Sequence, residues 1–347
     1  MLNNLVQWKT IGKIPAQKGY SENIGTAGLL QGVLDEKLVI GGGANFPNGS
    51  VVDGGQKVTH KDLYLIGDEN DNLKVYDHIQ LDYPIAYGSS TSSEDAIFYL
   101  GGSPEEKYSS SITKITLDGN KLKAELVGNL GMSLENAISE YVDGKIYFGI
   151  GNLDGKNTTD FYRYDLETGE KEALAKFPGE ERNQCISCVF GNKIVVFGGG
   201  SNVAYTDGYA YDMENNTWEK ISDIVIDGEE ISILGAGAVK MNDKEVLVIG
   251  GFNKDLWKDA VHNLSTLQGE EKQAYRVKYF GQEPESYNWN KEMLIYNVEN
   301  NSWRTEGQIS FNAPCGNGLL KSGSNVYSIM GEIKPGTRTP NVYKVTF

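Results

Sequence analysis

The chain has 347 residues, including 42 glycines, 20 tyrosines and 9 prolines, and the glycines follow no Gly-X-Y period, which excludes a collagen-like protein. A hydrophobic content of 39% against 23% charged residues is enough to build a core. The formal charge of −15 argues against nucleic acid and anionic membranes as partners, and three cysteines do not make a disulfide framework.

The first ten residues contain no basic segment followed by an apolar run. No secretory signal is therefore expected, and the cytoplasm is the default compartment; the periplasm is the alternative if the start of the chain is processed. No apolar stretch approaches the roughly 18 residues that a spanning helix needs. Leu5 to Ile11 reads as a strand that carries Trp8. Beyond it, a β-rich run ending in glycine recurs six times: Leu38–Gly43, Ile97–Gly102, Ile146–Gly151, Ile194–Gly200, Val246–Gly251 and Val326–Gly331. The glycines at 42, 102, 151, 199, 251 and 331 are 60, 49, 48, 52 and 80 residues apart, and three of these spacings sit near the roughly 50-residue kelch period.

Each run follows a polar turn and precedes a second strand rich in aromatics, such as Phe161–Tyr164, Gly208–Tyr211 or Met293–Tyr296. Two of these continue into nearly identical turns, Tyr211–Trp218 and Tyr296–Trp303. The pattern predicts an all-β chain: a six-bladed kelch β-propeller of four-stranded antiparallel blades, forming a single domain over 1–347. The last repeat stops after its third strand, so the N-terminal strand is expected to complete it and leave no open edge.

Alternating hairpins place one loop of every blade on the same face of the ring. These loops run over 44–60, 103–110, 152–159, 201–206, 252–291 and 332–340. The 40-residue insertion 252–291 is the largest departure from the period. Its first part spaces Trp257, Val261, Leu264 and Leu267 as one face of a helix. Its second part is aromatic: Tyr275, Tyr279, Phe280, Tyr287 and Trp289. A lid or pocket wall is expected, the alternative being a surface loop that packs its own aromatics.

His60, His78 and His262 lack ligand spacing, and Cys185–Cys188 is half a zinc site without a second pair. No glycine-rich turn leads from a strand into a helix. Neither a metal nor a cofactor is expected. Only five of the 32 basic residues are arginines, and two of them, Arg182 and Arg338, fall on the loop face. A planar fork there suits a carboxylate ligand; for either arginine alone, a structural ion pair is an equal alternative. In Gly331-Glu-Ile-Lys-Pro-Gly-Thr-Arg-Thr339 the Pro335-Gly336 turn brings Arg338 back toward Glu332. A carboxylate beside an arginine at a channel suits proton transfer to an anionic ligand, although spacing alone favours a loop-stabilising salt bridge.

This last segment resembles the Gly-Glu-x-Lys-Pro-Gly-x-Arg-Thr motif of the N-acetylneuraminate epimerases, in the cyclically permuted mutarotase family. Phe177-Pro-Gly-Glu-Glu-Arg-Asn-Gln184, Ala86-Tyr-Gly88 and Lys278–Lys291 resemble other family segments. The resemblance implies a kelch propeller that interconverts the α and β anomers of sialic acid without a cofactor. It implies Glu332 and Arg338 as catalytic residues, with Arg182, Gln184, Tyr87 and Lys334 around the substrate. Tyr87 or a tyrosine of the insertion would protonate the ring oxygen. Ile85 departs from the family, which carries arginine at that place, and the blade order is rotated. The implied partner is a small acidic sugar; oligomeric state stays open, a homodimer being one option. The alternatives are a non-catalytic kelch propeller that binds a protein or glycan, and a lyase or hydrolase pairing Glu332 with Glu22, Glu135 or Glu230.

Overall fold

The computed structural model describes residues 7–347. Six antiparallel sheets, here called blades, follow one another along the chain. Blade 1 holds Ala27–Leu34, Lys37–Asn45, Asp62–Asp68 and Leu73–Gln80, with the short Val58–Thr59 strand beside it. Blades 2 to 5 begin with Ser89–Ser92, Ile138–Val142, Ile186–Phe190 and Gly237–Lys240. Blade 6 holds Gly318–Ser322, Asn325–Ile329 and Asn341–Thr346, and its fourth strand is the N-terminal Lys9–Lys13. The first strands of blades 1 to 6 touch their neighbours in a closed cycle, from blade 6 back to blade 1, and so surround a channel. Contacts that run back from the end of the chain to its start are the physical content of a propeller.

The expected closing strand starts later than its sequence pattern suggests. Trp8 lies just before it, buried, with Nε1 against the Met293 sulfur at 3.2 Å, while Leu5 and Val6 lie outside the described residues. A charged cluster sews the closure: Lys344 bonds Asp68 and Asp71 of blade 1, and Lys9 bonds Asp71 at 2.8 Å.

The repeated turns show why the pattern recurs. Asp212 Oδ1 accepts from the amides of Glu214 and Asn215, and Asn297 Oδ1 accepts from Glu299 and Asn300, each forming an Asx turn. Asn216 and Asn301 then adopt φ of 52° and 47°. Their side chains accept from Tyr211 and Tyr296 of the same blade and from Ala175 and Ser222 at its margin. One asparagine thereby closes the hairpin and staples it to the neighbouring chain.

Hydrophobic packing lies between blades rather than in one central core. Leu30, Val39, Leu63, Ile97 and Tyr99 join blades 1 and 2, and Cys188, Phe197, Val246 and Tyr296 join blades 4 and 5. Ile85 is fully buried in the first of these layers, and its carbonyl accepts from Gly43 at 2.7 Å. It is a packing residue rather than a channel residue.

Candidate active site

One residue at or just before the start of each blade's first strand adopts the left-handed conformation: Gly28, Tyr87, Asn136, Gln184, Gly235 and Gly316, with φ of 75°, 61°, 50°, 55°, 76° and 60°. Backbone hydrogen bonds join them round the channel. Tyr87 donates to Gly28 O at 2.9 Å, Asn136 to Tyr87 O at 2.6 Å and Gln184 to Asn136 O at 2.8 Å. Gly28 donates to Gly316 O at 2.9 Å, and Gly316 to Gly235 O at 2.8 Å. The left-handed turn aims each N–H and C=O along the ring. Glycine holds it without strain, so three non-glycine residues there mark side chains retained against a conformational cost. All six line a cavity of about 750 Å³, which also takes in Cys185, Phe252, Cys315, Asn317 and Glu332. The glycines leave room for their neighbours: a Cβ on Gly28 would come within 2.4 Å of the Tyr87 ring, and one on Gly235 within 2.9 Å of Gln184 Oε1.

Glu332 stands on the wall contributed by blade 6. Its backbone pairs with Cys315 in both directions at 2.8 Å, which fixes the residue directly after the left-handed Met330–Gly331 step. The Pro335-Gly336 turn folds the chain back as the sequence implies, in a short ribbon of Glu332–Lys334 against Thr337–Arg338. Gly336 is held at φ 82° against Val51, and its amide donates to Glu332 Oε1 at 2.6 Å. Arg338 Nη1 lies 3.6 Å from the same oxygen, an ion pair without a hydrogen bond. Arg338 Nε and Nη1 are buried and have no hydrogen-bond partner among the described residues; the guanidinium lies 4.9 Å from the Phe46 ring centroid. Burial raises the Glu332 pKa, and Arg338, the Gly336 amide and Lys57 oppose that rise.

Tyr87 turns its ring into the cavity, with the Lys57 ammonium 5.1 Å from its centroid. Burial raises its phenol pKa, against a lowering by the Arg338 charge. Gln184 also faces the cavity. The structure thus brings Glu332, Tyr87 and Gln184 to one cavity, with Arg338 beside Glu332 as its ion-pair partner and not itself a lining residue.

It does not bring Arg182 or Lys334 there. Arg182 has a side chain only 1% exposed, and both its terminal nitrogens grip Asp207, with Nη2 to Oδ2 at 3.0 Å. Nε donates to Glu180 O at 2.9 Å and Nη1 to Gly198 O at 3.1 Å, while Tyr205 stacks 3.9 Å from the guanidinium. With its donors spent on Asp207 and main-chain oxygens, Arg182 is the structural ion pair and not a carboxylate ligand. Lys334 Nζ donates to Gln282 O at 2.8 Å, which ties the ribbon to the insertion, and Lys334 does not line the cavity.

The insertion holds two α-helices where one was expected, followed by a short 3-10 turn over Pro284–Tyr287 and irregular chain. Helix α1 spans Lys254–Thr266 and helix α2 spans Gly269–Gly281. Asn253 caps α1 by accepting from Asp255 and Leu256, and Trp257 Nε1 bonds Ser201 O at 3.0 Å. Tyr275 donates to Asp259 at 2.9 Å and so joins α2 to α1. At the far end Arg276 Nη2 donates to Val51 O at 3.1 Å. The insertion therefore reaches from blade 5 past the Glu332 ribbon to the 46–57 loop of blade 1. The insertion packs its own aromatics, with Phe252 against Trp289, and Phe252, its first residue, is the part of it that lines the cavity.

Asn136 lines this cavity, and Lys57 and Phe46 pack on Tyr87 and Arg338 beside it; none of the three was singled out by the sequence. Lys57 and Phe46 lie on a loop that no local pattern distinguishes. Asn136 had a signal: it stands 15 residues before Gly151, as Tyr87 does before Gly102, Gln184 before Gly199 and Gly316 before Gly331. Among the described residues, no three His, Cys, Asp or Glu side chains are grouped to hold a metal ion. No helix there is long and apolar enough to cross a membrane.

A sequence profile of N-acetylneuraminate epimerase matches residues 128–347. The chain belongs to the N-acetylneuraminate epimerase family. The matched part begins at the end of blade 2 and carries blades 3 to 5, three strands of blade 6, the insertion and the Glu332 ribbon. The N-acetylneuraminate epimerase of Vibrio cholerae is 30% identical over 63% of this chain and 59% of its own length. That of Yersinia enterocolitica is 29% identical over 64% of this chain and 57% of its own length. The match thus spans under two thirds of these family members. A solved structure described as that of YjhT superposes with a TM-score of 0.53 at 24% identity, over 61% of this chain and 62% of its own, and supports the fold.

Proposed function

We propose that this chain is a mutarotase that interconverts the α and β anomers of N-acetylneuraminate or a related acidic sugar. The observation that carries the reading is Glu332. It is a half-buried carboxylate on a cavity wall, held by the Gly336 amide and set beside an arginine with two unpartnered donors. The names of the family and its members supply the sugar.

In this reading Arg338 and Lys57 hold the sugar carboxylate and so orient the adjacent anomeric carbon. Glu332 takes the proton from the anomeric hydroxyl. The bond from the anomeric carbon to the ring oxygen breaks, the carbonyl forms, and the ring oxygen receives a proton. Tyr87 suits that donation because its phenol is kept protonated in the cavity and stands next to the Arg338 charge. Rotation about the bond to the carbonyl carbon presents its other face. The hydroxyl then closes on that face, returns its proton to Tyr87, and Glu332 protonates the new anomeric oxygen. No electrons leave the sugar, and both protons return to their donors. One general base contributes roughly 10²–10⁴-fold, which is meaningful against a reaction that already proceeds slowly in water.

The test is to release α-N-acetylneuraminate in the presence of the protein and follow both anomers by proton NMR, with Glu332→Gln and Arg338→Ala beside wild type. Acceleration by wild type that is lost in Glu332→Gln supports the reading. A wild-type rate equal to the spontaneous one sinks it.

A further inference from the structure

The ring of left-handed residues is asymmetric in a way that bears on the substrate. Blades 5, 6 and 1 contribute glycine, as Gly235, Gly316 and Gly28; blades 2, 3 and 4 contribute Tyr87, Asn136 and Gln184. One half of the channel mouth is therefore open backbone, and the other half is crowned by side chains. Glu332, from blade 6, and Phe252, which follows a strand of blade 5, line the cavity with the glycines, and Arg338 pairs with Glu332, so the reacting end of a ligand has its room there. Asn136 stands on blade 3, directly across a six-blade ring from blade 6.

Asn136 and Gln184 are neighbours on that ring, joined by the Gln184 N to Asn136 O bond of 2.8 Å. Both line the cavity, and neither side chain hydrogen-bonds another described residue. Two carboxamides without protein partners, side by side and held in a conformation that costs energy, are poised for a ligand that both donates and accepts. An amide group is such a ligand. In an N-acylated nonulosonic acid the acylamino carbon lies across the pyranose ring from the anomeric carbon that bears the carboxylate. Anchoring the carboxylate end at blade 6 directs the acylamino end at blade 3.

Resting on the mutarotase reading, we infer that Asn136, together with Gln184, recognises the acylamino group of the sugar acid and sets the preference for N-acylated substrates. Asn136 acts as a positioning and specificity residue; the proton chemistry stays with Glu332.

The test compares N-acetylneuraminate with its analogue carrying a hydroxyl in place of the acetamido group. Anomerisation of both is followed by NMR for wild type, Asn136→Gly and Asn136→Asp. Glycine suits the left-handed site, and aspartate keeps the shape while removing the N–H donor, so both variants are expected to fold, as thermal unfolding will show. Wild type should prefer the N-acetyl sugar by at least about tenfold in kcat/KM, the scale of one or two hydrogen bonds. That preference should fall to within about threefold in both variants, through KM rather than kcat. An unchanged preference, or an equal loss on the two sugars, overturns the inference. Saturation-transfer NMR with the non-anomerising methyl glycoside of N-acetylneuraminate separates this from the mutarotase reading. If wild type binds the glycoside through its acetyl methyl group and Asn136→Gly does not, recognition stands even where catalysis is absent. No binding by wild type overturns it.

Discussion

Glu332 and Arg338 face each other as register partners in a two-strand ribbon, yet Nη1 and Oε1 stay 3.6 Å apart. A pair that served only to stabilise the loop would close to hydrogen-bond length, since a buried ion pair repays its desolvation only with good geometry. The open pair leaves Arg338 Nε and Nη1 without an acceptor, and the proposed reading assigns these donors to the sugar carboxylate. Arg338→Ala should lower kcat/KM for the acidic sugar roughly 10- to 100-fold, the range of one charge-assisted hydrogen bond. The NMR assay checks this; an effect under twofold would return the pair to a structural role.

The same arrangement sets a pH dependence. Burial raises the Glu332 pKa above the usual carboxylate value, and Arg338 holds it down. The base form appears only above that raised pKa, so kcat/KM should climb with pH through a limb that lies higher than a free glutamate's. Removing the arginine charge in Arg338→Gln should move the limb further up. A limb that moves down in this variant contradicts the assignment.

Glu140 gives a second pH effect, on stability. Its carboxyl accepts from Ser187 at 2.6 Å beside the channel, and burial pushes its pKa to about 7 from 4.5. The folded state binds this proton more tightly than the unfolded one. The resulting stabilisation is complete below about pH 4.5 and is lost as pH rises through 7. Glu140→Gln should remove this dependence and be more stable than wild type at pH 8 by up to about 2 kcal/mol, as denaturant unfolding at pH 5 and 8 will show.

Arg182 and Asp207 form a buried pair, and breaking it leaves one charge uncompensated. Asp207→Ala should cost about 3–5 kcal/mol in unfolding free energy. Its effect on KM should stay small in whatever fraction remains folded. A rise in KM with unchanged stability would restore Arg182 to the substrate.

Ile150 takes the left-handed place, at φ 50°, that glycine fills as Gly42, Gly101, Gly198 and Gly250. Relief of backbone strain in Ile150→Gly is worth about 1–2 kcal/mol. The side chain is fully buried between blades 3 and 4, and its loss costs about 2–5 kcal/mol. Burial wins, so the variant should be less stable, by about 1–3 kcal/mol in denaturant unfolding.

The repeat was legible because each blade must solve the same problem with the same residues. A left-handed step ends the second strand, and an Asx turn closes the outer hairpin. Glycine pairs and Asn-Asn turns are local consequences of φ, and local consequences survive in a linear pattern. The Glu332 ribbon was legible for the same reason, since the Pro335-Gly336 turn dictates the return of Arg338 within six residues. Helix α2 was not, because it has only Tyr275 and Tyr279 at a helical spacing and no apolar stripe to extend them, its aromatics serving contacts with α1 and Tyr287.

Whether a long-range charge finds a partner was never local. Arg182 and Arg338 are alike in sequence context, each a rare arginine on the loop face. Only the folded ring places Asp207 against one and leaves the other without an acceptor for Nε and Nη1. Asn136 likewise reaches the cavity, and Lys57 the Tyr87 ring, only because separate blades bring them together. The blades follow from torsional preference and hydrophobic alternation, which act over a few residues. The site follows from ring closure, which sets the distances between residues hundreds of positions apart.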